Sequence, residues 1–176
     1  MKAHSYRNMT SAAVCLSLCI VLPFLTGQIP SIGQLLSPMH IPVLLAGFVC
    51  GPWWAAAVGL CAPLLRHVLF GMPPFPTAYG MCLELAAYGM TAGLLYRHLP
   101  KRTGYIYVSL LGAMLAGRVV YGLAMWAILG PDYSWSAFIA GAFTGALPGI
   151  ALHILLIPVI VLALKKAGLV REGQAG

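Results

Sequence analysis

The sequence predicts an all-α integral membrane protein, with six transmembrane helices in one compact bundle and both termini cytoplasmic. Three observations predict it. Of the 176 residues, 61% are hydrophobic and only 7% are charged, with a mean hydropathy of +0.92. Soluble domains carry about a quarter charged residues, so this composition cannot cover a water-facing surface. Apolar runs approaching the roughly 20 residues that a helix needs to cross a bilayer recur along the chain. Finally, eight of the ten Lys and Arg occupy positions that alternating spans bring to one side. The length suits one transmembrane domain, 1–176, and leaves no room for a second.

The first segment, 9–27, follows a basic start, "MKAHSYRNMTSAAVCLSLCIVLPFL", that imitates a signal peptide. It lacks a convincing small-x-small cleavage site, so a permanent first helix is expected. The second segment, 40–52, is short, and Gly51-Pro52 separates it from the third, 53–71, by almost nothing. Those two could be one broken helix. The remaining segments are 77–97, 104–129 and 136–164.

Charge decides between five spans and six. Lys2 and Arg7 precede the first segment, Arg97, Lys101 and Arg102 separate the fourth from the fifth, and Lys165, Lys166 and Arg171 follow the last. Six spans place all eight on the cytoplasmic side, as basic residues of short loops prefer. The opposite loops, 28–39, 71–77 and 130–135, contain no Lys or Arg. Five spans would split the set. The net charge of +7 is thereby a topology signal, too scattered for a nucleic-acid groove. No phosphate-cradling Gly-Lys-Ser/Thr loop is present, so any ATP is hydrolysed by another chain. No cofactor is implied.

The five cysteines, Cys15, Cys19, Cys50, Cys61 and Cys82, lie in apolar stretches without Cys-x-x-Cys pairing and read as packing residues. Small residues recur at intervals of four: Ala137, Gly141, Gly145 and Gly149 in the last segment, and Gly89 and Gly93 in the fourth. On the first segment Ser11, Cys15 and Cys19 form one stripe, and Ala13 and Ser17 the next. Such stripes let helices approach closely, either within the bundle or, on the first helix, against a partner protein.

Arg66, Glu84 and Arg118 lie inside apolar segments, where an ionisable side chain costs about 2.5–3.5 kcal/mol and is a functional candidate by default. Arg66 lies five residues before the 71–77 loop and Glu84 seven after it, each about 8–11 Å below the outer end. A pair across this hairpin is expected, structural or ligand-binding. Two arginines against one carboxylate then leave Arg118 unmatched, and an anionic ligand is its natural partner. Tyr88 follows Glu84 by four residues, Phe70 follows Arg66 by four, and Tyr121 follows Arg118 by three, which puts each on the same helix face. Trp126, Tyr133 and Trp135 suit an interfacial belt. His40, His67 and His153 are far apart in sequence, show no His-x-x-x-His pairing, and read as structural histidines.

With those residues in view, "SPMHIPVLLAGFVCGPWWAAAVGLCAPLLRHVLFGMPPFPTAYGMCLELAAYGMTAGLLY", residues 37–96, resembles the substrate-binding S-component of an energy-coupling factor (ECF) transporter. "PMHIPVLLAG" and "GMPPFPTA" are its more specific parts. The resemblance implies a bacterial plasma-membrane subunit that captures a vitamin from outside. It docks on a transmembrane T-component carrying two ATPase subunits, and it topples to release its cargo inward. Family members typically carry Ala-x-x-x-Ala on the first helix for docking. The nearest equivalents here are Ala13-x-x-x-Ser17 and Ser11-x-x-x-Cys15. The family's site lies near the outer face, and the matching region runs from Gln28 to His40 and includes Glu84, Tyr88, Arg118 and Tyr121. Cobalt and nickel members use an N-terminal Met-His, whereas Met39-His40 here is internal. Arg66 and Arg118 favour an anionic vitamin, which puts pantothenate first, with cobalamin, folate and pyridoxine-type ligands open. The rivals are an intramembrane enzyme using Glu84 with His67 or His153, and a structural or channel subunit.

Overall fold

The computed structural model describes residues 2–26, 36–100, 102–130, 133, 134, 136, 138, 139 and 147–170. Their regular structure is helical throughout: α1 (Lys2–Val21), continued by a 3-10 stretch (Leu22–Thr26), α2 (His40–Val49), α3 (Pro52–Phe70), α4 (Thr77–His98), α5 (Thr103–Leu129) and α6 (Leu147–Lys166). Four stretches are long and apolar enough to cross a membrane: Tyr6–Leu25, Pro52–Phe70, Thr103–Leu129 and Leu147–Lys166. At 22 residues α4 has the length too, but Glu84 and three glycines interrupt its apolar run. The ten-residue α2 reaches only about 15 Å, half the hydrocarbon thickness.

The break between the second and third segments is real. Gly51 has φ 90 and ψ 173, and Pro52 takes the first helical position. A proline there loses no intrahelical hydrogen bond, whereas the positive φ before it suits glycine alone. At the far end of α3, left-handed Gly71 returns its N–H to the His67 carbonyl, the αL way of ending a helix. Arg97 and His98 close α4, and Lys165 and Lys166 close α6, where positive charge complements the helix dipole.

Packing explains why α2 is so apolar. Its residues His40 to Phe48 are all buried, and it touches α1, α3, α4 and α6. A helix that is hydrophobic all round belongs inside. Two of its neighbours, α3 and α4, run antiparallel. A Cβ at Gly59 would strike the Leu85 backbone at 2.4 Å, and one at Gly89 would lie 2.7 Å from the Ala55 carbonyl oxygen. The α3–α4 pair therefore packs backbone to backbone, as small residues allow in lipid. The outward faces are apolar: Trp53, Leu60 and Val68 on α3, and Leu115, Leu123 and Trp126 on α5 are exposed. Such faces mark a lipid-contacting surface rather than a water-facing one.

The first helix divides the stripes expected to dock a partner. Cys15 and Cys19 are buried, Cys15 facing the Cys50 thiol and Cys19 lying 3.6 Å from the Met39 carbonyl oxygen; Ser11, on the same stripe, is half-buried. That stripe packs inside the bundle, so Cys15 is not a free docking residue. Ala13 and Ser17 are exposed, and the Ser17 hydroxyl donates to the Ala13 carbonyl at 3.0 Å. On α6, Gly149 is buried. Ala137, Gly141, Gly145, Trp135, Lys101, Arg171 and the loop residues 28–35 lie outside the described residues.

Candidate functional site

Four helices bring ionisable side chains to one place. Glu84, seven residues into α4, points toward α5, and its Oε1 lies 2.9 Å from Nη1 of Arg118. His40, the first residue of α2, sets its Nε2 3.7 Å from the same oxygen. From α6, His153 stacks on His40 with ring centroids 5.9 Å apart and planes 21° from parallel. Tyr88, one turn beyond Glu84, directs its hydroxyl at the carboxylate and meets the His40 ring edge-on at 5.2 Å. All five are buried, at 9% exposure or less.

The local sequence makes room for this. A Cβ at Gly117 would lie 2.7 Å from Cδ1 of Tyr88, so the bare α5 backbone lets the ring lie flat one residue before Arg118. Tyr121 belongs to the same wall, since a Cβ at Gly80 would meet its ring at 3.0 Å. Tyr133, beyond the end of α5, falls within the field of the cluster. Partial burial, and after it the Glu84 charge, raise its phenol above the usual value.

The polar atoms are brought together but not satisfied. Both ring nitrogens of His40, Nε2 of His153, Oε1 of Glu84 and Nε of Arg118 are buried without a hydrogen-bond partner. The 2.9 Å approach of Arg118 to Glu84 is thus a charge contact whose N–H is not aimed at Oε1. Buried donors and acceptors are nearly always paired. Several orphans in one place are hydrogen-bonding capacity that a polar ligand could take up.

Arg66 is not part of this arrangement, and the expected Arg66–Glu84 pair does not form. Arg66 is buried at 3% exposure on the inner stripe of α3, and its Nη1 donates to the carbonyl of Ile20 at 2.5 Å. Its guanidinium lies 5.4 Å from the Phe24 ring centroid and 5.3 Å from that of Phe70. Those rings meet edge to face at 5.1 Å. The depth argument fails on azimuth. Arg66 faces the end of α1, while Glu84 lies on the α5 side of α4. Among the described residues Arg66 therefore faces no carboxylate, and Arg118 is matched.

His67, a candidate enzymatic partner for Glu84, has its Nδ1 2.8 Å from the Pro73 carbonyl oxygen and closes the 71–77 turn. His153, read as structural, joins the cluster instead. Its signal was the same one that singled out the arginines, an ionisable residue within an apolar span. Among the described residues no three His, Cys, Asp or Glu converge as metal ligands.

Neither the curated proteins nor the solved structures yield a significant match. A family model does, over residues 7–161, and its description is "ECF transporter, substrate-specific component". That span contains the six helices described above in whole or in large part, together with every residue of the buried cluster, and by this match the chain belongs to the family of substrate-specific components of ECF transporters.

Proposed function

We propose that this chain captures a vitamin or related micronutrient at the His40–Glu84–Arg118–His153 cluster, with Tyr88 and Tyr121 as its aromatic wall, for uptake driven by partner subunits. Family membership makes it a multi-pass membrane subunit that binds a small-molecule substrate and works with a T-component and ATPases; the family is not one of enzymes. The observation that carries the site is the convergence of five buried, unpartnered polar atoms from four helices.

The positions of eight of the ten Lys and Arg support six membrane crossings with both ends of a single domain in the cytoplasm, and the family reading makes that membrane a bacterial plasma membrane. In that orientation the cluster lies in the outer half of the bilayer, on the side from which substrate arrives. Ala13 and Ser17, exposed and small, suit close approach of a T-component helix. Arg66 is reassigned from ligand contact to holding α1 against α3. The sequence argument for pantothenate needs an unmatched Arg118, and with Glu84 beside it that argument lapses.

The experiment is native mass spectrometry of the purified chain, followed by titration of whatever molecule it retains. A retained molecule of unchanged mass, held more weakly by Tyr88→Phe and Arg118→Lys, is the expected result. A mass shifted by turnover would favour the enzyme reading. No retained molecule under any growth condition would favour a structural subunit.

A further inference from the structure

One histidine of the cluster has its proton already placed. His153 hydrogen-bonds the backbone carbonyl of Ser37, and the ring nitrogen left without a partner is Nε2. The donor is therefore Nδ1–H. Ser37 is itself fixed: its carbonyl also accepts the His40 amide at 3.0 Å, opening α2, and its φ of 46 holds it in a left-handed conformation uncommon for a non-glycine residue.

A neutral imidazole carries one donor and one acceptor, and a hydrogen bond to one ring nitrogen dictates what the other offers. With Nδ1–H engaged, Nε2 of His153 presents a lone pair, in a side chain only 3% exposed. Glu84 Oε1 presents a second acceptor and Arg118 Nε a donor, while His40 supplies one of each. The complement is a molecule with at least two donors and one acceptor. A carboxylate offers acceptors only, and would set its lone pairs against those of Glu84 and His153. Hydroxyls offer both.

We infer that His153 reads the substrate, accepting at Nε2 a hydrogen bond from a hydroxyl of an uncharged, hydroxyl-bearing small molecule. This rests on reading the cluster as the substrate site. The test uses the purified full chain in lipid nanodiscs and two matched pairs of probes: pantothenol against pantothenate, and pyridoxine against 4-pyridoxate. In each pair a hydroxymethyl group stands where its counterpart has a carboxylate. At least one alcohol should bind, about tenfold or more tighter than its acid. His153→Asn keeps a donor near the Nδ1 position and has nothing at Nε2, so it should weaken that alcohol by about tenfold. His153→Gln, with an amide oxygen near the Nε2 position, should recover much of the loss. Nitrogen-15 spectra of histidine-labelled wild-type chain should show His153 as the Nδ1–H tautomer before any probe is added, a readout that does not depend on any variant folding.

If an alcohol binds and Tyr88→Phe weakens it while His153→Asn does not, the site stands and the role of His153 falls. If neither substitution matters, the site itself is elsewhere. An acid that binds more tightly than its alcohol, two alcohols that do not bind, or an Nε2–H tautomer would overturn the inference.

Discussion

In the seam between α1 and α3, a buried arginine meets a helix-end carbonyl and two phenyl rings; between α4 and α5, another meets a carboxylate backed by two histidines. Arg66 and Arg118 carry the same sequence signal, a cation inside an apolar span. Their surroundings differ in what is left over. In the seam, the carbonyl of Ile20, in the last turn of α1, accepts from Arg66. Two ring faces take the rest of the guanidinium. In the cluster, Arg118 has a charge partner but an idle Nε, and its neighbours are idle as well. Buried charge alone does not separate architecture from recognition. Unused hydrogen-bonding capacity does.

The largest effect should come from unpairing the cluster. Arg118→Met strands Glu84 at 2% exposure, and removing one partner of a buried ion pair costs about 3–5 kcal/mol. Adding Glu84→Gln should restore most of that, because the lone buried charge is then gone. Unfolding of single and double variants in detergent gives the coupling directly. Additive losses would mean that the 2.9 Å contact contributes nothing, and the distinction between the two arginines would then collapse.

The seam should behave as scaffold. Arg66→Met gives up a charge-assisted hydrogen bond and cation–π contact with two rings, together about 2–3 kcal/mol. Affinity for any bound molecule should hold within about twofold, because the altered group lies outside the cluster. Arg66→Lys should recover only part of the stability, since a compact ammonium cannot cover an aromatic face while keeping the hydrogen bond as a planar guanidinium can. A large affinity loss in a well-folded Arg66→Met chain would move Arg66 into the site. Cys15→Leu tests the neighbouring contact of α1 with the end of α2 more gently. Filling the space opposite Cys50 should cost about 1–3 kcal/mol through overpacking.

Much of this was legible in the sequence, and what was not has a definite cause. Composition, the Gly51-Pro52 break and the Pro-rich 71–77 turn placed the second to fifth helices to within a few residues, because in lipid an apolar run and its breakers leave few alternatives, whereas α1 begins seven residues before the expected segment. Glu84 and Arg118 were singled out because an ionisable residue in an apolar span is conspicuous, Tyr88 and Tyr121 by their helical spacing from them, and His40 through the family resemblance alone. Pairing was not legible. Arg66 and Glu84 lie at like depth on neighbouring helices, but contact needs facing azimuths, and those depend on how Gly59 and Gly89 let α3 and α4 close on each other. His153 was passed over for a related reason. It is 113 residues from His40 in sequence, and only the central placement of α2 against α6 brings the two rings together.

The smallest effect on stability, and the sharpest test of the seam's outer side, is expected at Ser17. Its neighbour stripe turns inward, but Ser17 and Ala13 face away from the bundle, and the hydroxyl is already satisfied by the Ala13 carbonyl. Ser17→Leu therefore removes one exposed intrahelical bond and adds apolar surface where lipid already lies. The isolated chain should change by no more than about 0.5 kcal/mol, and probe binding should be unaltered. Assembly is a different matter. If a T-component helix approaches this face through its small residues, a leucine holds the backbones apart, and co-purification of the T-component and ATPase subunits with the variant should fall several-fold. Ser17→Gly, which keeps the gap open, should assemble like the parent. Full assembly of a folded Ser17→Leu chain would place the partner on another helix, and would leave the inward stripe of Ser11, Cys15 and Cys19 as the one face of α1 whose role is established by its packing.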